Sequence, residues 1–330
     1  MHDGPIHDWW QHVILNADGE RHVRLRRLVG RAFTPPAADA LRPSMRATAE
    51  RLVDGFADAG ACEFMQAFAD PYPLAIISEL LAIPPEQRAV FSRWAADLSF
   101  VFSPNVAALR GRIEEALAGL YACVDRLIED RRRALRDDLV SQLVLAEEDG
   151  ERLTTEELRS MLVTLVLAGN DTTRNQLGLA LVLMAQRPDL WTRVAKEPRL
   201  AETAVDEILR IVPTIPNAPR LVAQDLDIGE LHLPQGTYVQ LLLGSANRDR
   251  SIFGDRDVDI DHELPAPHLA FGGGMHRCLG MWLARAELSE ALPILARRMP
   301  NLALTGEPAW KPPLGIFGPL TLPLAFSAVH

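Results

Sequence analysis

One cysteine, Cys278, lies in the segment FGGGMHRCLG (271–280), with three glycines behind it and a helix predicted over about 279–298 ahead. Backbone N–H groups at a helix start lack partners and the dipole is positive there, so a thiolate is favoured and its electron density is tuned by those donors. Glycines at 272–274 and 280 let the backbone approach something broad and flat without side-chain clash. A structural cysteine after a turn accounts for Cys278 but not for the glycines or for His276 and Arg277. A cysteine nucleophile needs a positioned base, and no particular histidine offers itself for that role.

The spacing of Phe271, Gly274, Cys278 and Gly280 is FxxGxxxCxG, which resembles the haem-binding signature of the cytochromes P450, in their soluble bacterial form. The resemblance implies haem b with its iron bound by Cys278, a thiolate that pushes electron density onto iron and favours O–O cleavage. It implies that Phe271, Gly272 and Gly280 lie against the cofactor on that side and Ala168 on the other. Such chemistry needs delivered protons, and the run AGNDTT (168–173) joins an acid to a hydroxyl within a predicted long helix. By the same resemblance, Ala168 and Gly169 leave room for dioxygen, Thr172 hydrogen-bonds it, and Asp171 relays protons from solvent. Thr172 is also placed to bond back to the carbonyl of Ala168 and distort the helix locally.

Further motifs agree in order. His22 and Arg26 stand one turn apart, matching the family's HxxxR, and with Arg220 and His276 they are implied to hold the haem propionates. Glu207 and Arg210, at i and i+3, can pair; the resemblance makes them a buried pair completed by a third arginine. Counting back from Cys278 without gaps places Val258 at that third position, with Arg256 two residues away. Leu165, Ile215, Asn217 and Phe317 stand where members line the substrate pocket, although core packing accounts for each equally well. Arg24, Arg27 and Arg31 form a separate stripe, read as a solvated face, with docking of an acidic electron carrier as the sharper alternative. Asn247-Arg248-Asp249 resembles the family's NRDP, with Arg250 in place of proline, and is read as structural.

The activity implied is a monooxygenase that inserts one atom of O2 into a small organic substrate. No bound flavin is indicated, so electrons are expected from a separate ferredoxin or flavodoxin with its NAD(P)H reductase. Two alternatives are a peroxide-driven variant and a haem-binding but catalytically impaired, truncated relative.

The elements that must position these residues are mainly α with small β-sheets. Helical spacing dominates 20–189, interrupted by proline-marked turns at Pro35-Pro36, Pro71, Pro84-Pro85 and Pro104. The longest helix, about 154–186, starts at a capping box of Thr154 and Glu157 with Leu153 and Leu158 as a hydrophobic staple, and would run ~50 Å. A helix at about 200–211 follows. Residues 226–233 and 238–243, separated by Pro234-Gln235-Gly236, read as hairpin strands, and 247–268 as a long irregular stretch. Since HxxxR begins at His22, residues 1–21 form a short N-terminal segment and 22–330 the haem-binding domain. Members of the family carry a sizeable segment ahead of that motif, much of it β-rich, so the 238–243 strand is expected to lack a partner and expose an apolar edge.

A net charge of -10 argues against an electrostatic grip on nucleic acid or anionic lipid. The cysteines at 62, 123 and 278 include no CxxC pair, which disfavours a disulfide framework or a multi-cysteine zinc site. With no leader-like or membrane-spanning run, the expected location is the cytoplasm.

Overall fold

Residues 3–103, 105–148, 153–312 and 315–328 are described by a computed structural model, with the side chains of 31 and 146–148 left out. Pro104 and the Arg31 side chain thus lie outside the described residues. Apolar residues at three- and four-residue spacings fold the first two thirds of the chain into helices α1 (Pro5–His12), α2 (Gly19–Gly30), α3 (Pro35–Asp54), α4 (Pro71–Leu80), α5 (Arg88–Leu98), α6 (Val106–Arg133), α7 (Leu139–Glu148), α8 (Thr155–Ala185), α9 (Pro188–Lys196) and α10 (Ala201–Ile211). Single turns α11 (Leu243–Ala246) and α12 (Arg250–Phe253) precede the final helix, α13 (Met281–Arg298). Prolines open α1, α3, α4 and α9, where the missing N–H costs no helical bond.

The central helix α8 begins as its sequence predicts. Thr154 Oγ1 accepts from the Glu157 N–H at 3.1 Å, and Glu157 Oε2 accepts from the Thr154 N–H at 2.9 Å. Leu153 and Leu158 are both fully buried beside this cap. From Met161 to Leu167 every residue is buried, because α1, α4, α5, α6, α9 and α13 all pack on α8. Helix α13 lies along α3 and α9, and the Tyr72 hydroxyl donates to the Glu287 carbonyl at 3.1 Å. The N-terminal residues join the same core: Ile6, Trp9, Val13 and Ala17 are buried, and α1 sits on α6 and α8.

The strands are β1 (Ala61–Glu63), β2 (Ala218–Leu221), β3 (Leu226–Ile228), β4 (Leu231–Leu233), β5 (Tyr238–Leu241), β6 (Ala303–Leu304), β7 (Ala309–Trp310), β8 (Pro319–Thr321) and β9 (Pro323–Ala325). All pairings are antiparallel: β1-β9-β6 form one sheet, with Cys62 opposite Leu324, and β2-β5, β3-β4 and β7-β8 are two-stranded.

This corrects the expected hairpin. Residues 226–233 fold on themselves, since Gly229 takes φ +58° in the two-residue connection between β3 and β4, the geometry that favours tight hairpins. Tyr238–Leu241 has a partner after all, β2, with Arg220 opposite Val239. Leu221, Tyr238 and Leu241 stay exposed on that small sheet. The stretch expected to be wholly irregular contains the turn α12. No helix among the described residues is long and apolar enough to cross a membrane.

Candidate functional site

The loop before α13 holds Cys278 by its backbone: the Cys278 N–H donates to the Phe271 carbonyl at 2.8 Å. Gly272 and Gly274 take φ +67° and +69°, left-handed values that cost an L side chain strain. A Cβ built on Gly272, Gly273, Gly274 or Gly280 would meet nothing within 4 Å, so one face of the loop is bare backbone. Gly280 caps α13, and its N–H lies near enough to the Cys278 sulfur to favour the thiolate. Cys278 itself is exposed. The protein packed around it still pushes the thiol up from its ordinary range, against the Gly280 N–H and the charges of Arg26 and Arg277.

Helix α2 brings a cationic group to the same loop. The His22 and His276 rings lie 4.3 Å apart, and His276 Nε2 is 3.3 Å from Asp18 Oδ1. His22 is buried; burial, then His276 and Arg26, hold it below the ordinary histidine range against the opposing pull of Asp18. Arg26 is half-buried, close enough to Cys278 for their charges to interact, and among the described residues it pairs with no carboxylate. Arg220 is exposed on β2 with Nη1 on the Pro219 carbonyl at 2.7 Å, and among the described residues no hydrogen bond joins it to the His22 cluster.

On α8, Ala168 is exposed although the helix is buried before and after it. Thr172 Oγ1 donates to the Ala168 carbonyl at 2.6 Å while the helix runs unbroken, so the back-bond forms without interrupting the ladder. Asp171 is buried and carries a partner that no local pattern indicated. Lys311 Nζ donates to both its carboxylate oxygens, at 2.8 and 3.0 Å, and Asn175 Nδ2 donates to Oδ1 at 3.0 Å.

Glu207 and Arg210 form the buried pair expected of them, with Arg210 Nη2 2.8 Å from Glu207 Oε2. The third arginine is Arg256, whose Nε donates to Glu207 Oε1 at 2.7 Å. Val258, the position reached by ungapped counting, is instead buried among apolar side chains. The loop turns so that Arg256 points inward, where its Nη2 also caps the carbonyls of Asp259 and His262 at 3.0 and 2.8 Å. Asn247 accepts from the Leu269 N–H and its carbonyl accepts from Arg210 Nη1, which ties the cysteine loop to the triad.

The arginine stripe on α2 is only partly a solvated face. Arg24 bonds Glu157 at the start of α8, and Arg27 is also engaged. Among the residues placed along a substrate pocket, the Phe317 N–H donates to the Thr214 carbonyl at 2.7 Å, which sets Phe317 beside the segment of Ile215 and Asn217. Asn217 Oδ1 accepts from Gln240, and Leu165 is buried on α8.

These groups suit a flat, dianionic, iron-centred ligand such as haem. A thiol at a helix N-terminus supplies a soft donor, bare glycine backbone allows close approach, and an uncompensated guanidinium beside two imidazoles suits carboxylates.

The comparisons point the same way. The family model described as Cytochrome P450 matches residues 87–299. Luteothin monooxygenase of Streptomyces thioluteus is 37% identical over 329 residues, 99% of this chain and 80% of that protein. Mycinamicin IV hydroxylase/epoxidase of Micromonospora griseorubida is 37% identical over 95% of this chain and 79% of its own length. A solved cytochrome P450 from Chondromyces apiculatus superposes with a TM-score of 0.87 at 37% identity, covering 96% of this chain and 80% of that one.

Proposed function

The chain belongs to the cytochrome P450 family, with the monooxygenase activity that its relatives' names carry, and from that premise we propose that it inserts one oxygen atom of O2 into a small organic substrate with electrons from a separate redox partner. The cofactor proposed is haem b, whose iron Cys278 Sγ would bind. When bound, the haem supplies thiolate-ligated iron, the centre at which dioxygen is activated.

The remaining work falls to side chains. His22, Arg26 and His276 would hold the propionates, with Arg220 assigned to them by family likeness alone. Phe271, Gly272 and Gly280 would pack one face of the ring and Ala168 the other. Thr172, already bonded to the Ala168 carbonyl, keeps a hydroxyl at the exposed stretch of α8, and Asp171 one residue before it would pass protons inward from solvent. Glu207, Arg210 and Arg256 stiffen the support of the cysteine loop. Leu165, Ile215, Asn217 and Phe317 are proposed to line the substrate.

One observation carries the reading: an exposed cysteine just before α13, close enough to Arg26 for their charges to interact, on a loop whose glycines leave its backbone bare. Electrons are assigned to a ferredoxin or flavodoxin with an NAD(P)H reductase. The test is product formation from a panel that includes mycinamicin IV and steroids, driven either by NADPH, reductase and ferredoxin or by hydrogen peroxide. Oxygenated product in the first arm alone supports the proposal; product with peroxide alone overturns the proposed electron source.

A further inference from the structure

We propose that Lys311 is the positioning residue for Asp171, latching that acid to the C-terminal hairpin that carries Phe317. A molecule pressing on the hairpin then changes the orientation of the acid. The inference rests on the roles proposed above for Asp171 and Phe317.

The carboxylate has two anchors of different origin. Asn175, one turn along α8, donates to Asp171 Oδ1 at 3.0 Å and to the Asp171 carbonyl at 2.6 Å, and its own Oδ1 accepts from Arg174 at 3.2 Å. That anchor moves with the helix. Lys311 arrives from 140 residues away and reaches both carboxylate oxygens. A buried carboxylate without a partner is costly, so the bond to Lys311 fixes where the acid points. The other charged groups around it, Arg174 and its partner Asp70, are engaged with each other.

The path of the hairpin explains how a lysine so remote arrives there. The Lys311 N–H donates to the Gly318 carbonyl at 3.0 Å, and the Trp310 ring stacks on Phe317 at 5.4 Å and 11°. The returning strand lies directly against α8: a Cβ on Gly318 would come within 2.6 Å of Asn175, and one on Gly178 within 2.5 Å of Pro319. Phe317 is pinned to Thr214, whose N–H is held by Gln176 Oε1 at 2.9 Å. Phe317, Lys311 and Asp171 therefore form one mechanical chain from a pocket wall to an acid; Arg174 Nη1 also reaches this strand, at the Pro319 carbonyl 3.5 Å away, but does not bond the acid. The lysine side chain is 20% exposed and the carboxylate 6%, so the latch sits at the boundary of the core.

The test uses the haem-loaded full chain as wild type, Lys311→Met, Lys311→Arg and Asp171→Asn, each checked for an unchanged carbon monoxide spectrum. Backbone amide exchange is followed in residues 309–321 and 171–176, with and without 4-phenylimidazole as the probe that fills the site. Cutting the latch should speed exchange of the Lys311 amide about tenfold, equivalent to about 1.4 kcal/mol, with Arg restoring protection. In wild type the probe should alter exchange in both segments; in Lys311→Met it should alter only 309–321. Hairpin exchange unchanged in Lys311→Met, or a probe effect that reaches 171–176 undiminished in that variant, overturns the latch. Should Lys311→Met fail to fold, Asp171→Asn cuts the same bond from the other end and is judged by the same criteria. Wild-type turnover in Asp171→Asn with NADPH and a surrogate ferredoxin would overturn the relay role of Asp171 and leave the exchange result standing on its own.

Discussion

Replacing Arg256 with leucine should destabilise the protein by about 3 kcal/mol. The figure follows from what Arg256 touches. Its Nε bond at 2.7 Å ends on Glu207, a carboxylate 1% exposed, and its Nη2 caps two loop carbonyls. Removing one partner of a buried pair costs roughly 3–5 kcal/mol when the other charge is left alone. Here Arg210 remains on Glu207 Oε2, which puts the loss at the lower end. For a chain of 330 residues, an unfolding entropy of about 2.1 cal/mol/K per residue converts this to a fall of roughly 4 °C in the thermal midpoint. The assay is thermal unfolding of Arg256→Leu and of Arg256→Leu with Val258→Arg, followed by far-ultraviolet circular dichroism. The second variant should be less stable still, because it drives a charge into an apolar site. A loss below about 0.5 kcal/mol in the single variant, or recovery in the double variant, would refute the assignment of Arg256 to the triad.

Three other outcomes follow from the packing. Glu287 is buried with Oε2 unpartnered, and burial pushes its carboxyl well above the ordinary range against the bond to Thr173, so folding takes up a proton there. Its contribution is complete below the unfolded value near ~4.3 and fades as pH rises towards the folded value, by about 1.4 kcal/mol per unit; Glu287→Gln should flatten that slope in denaturant midpoints measured against pH, and an unaltered slope would contradict it. Gly178→Ala places a Cβ 2.5 Å from Pro319 and 2.9 Å from Met65 Sδ, and should cost about 1–3 kcal/mol of stability and raise amide exchange in residues 309–321. Gly274→Ala forces φ +69° on an L residue at about 1–2 kcal/mol, and should lower haem content per chain measured by pyridine haemochrome, whereas Gly30→Ala, on a helical turn with open space around it, should not.

Motifs whose parts lie within one or two helical turns were legible from residue order. The capping box at Thr154 and Glu157, the Thr172 back-bond to Ala168 and the Glu207–Arg210 pair are set by 3.6-residue periodicity and need no knowledge of the fold. What escaped depends on chain paths. Arg256 rather than Val258 reaches Glu207 because an irregular loop decides which side chain turns inward, and ungapped counting assumes the loop away. A partner for Tyr238–Leu241 was expected from the segment ahead of His22, whereas it comes from Ala218–Leu221, where Pro219 sits on a two-stranded sheet that tolerates a lost N–H. Lys311 gave no local signal at all, since its bond to Asp171 is created by glycines at 178 and 318 that let a distant hairpin approach α8.

The most direct test of the central claim, that Cys278 is the thiolate ligand of a haem, is the carbon monoxide difference spectrum of the reduced protein beside that of Cys278→Ser. The account predicts a red-shifted thiolate-type Soret band in the wild type that is absent in the variant. A wild-type protein that takes up no haem, or a band of that type persisting in Cys278→Ser, would contradict it.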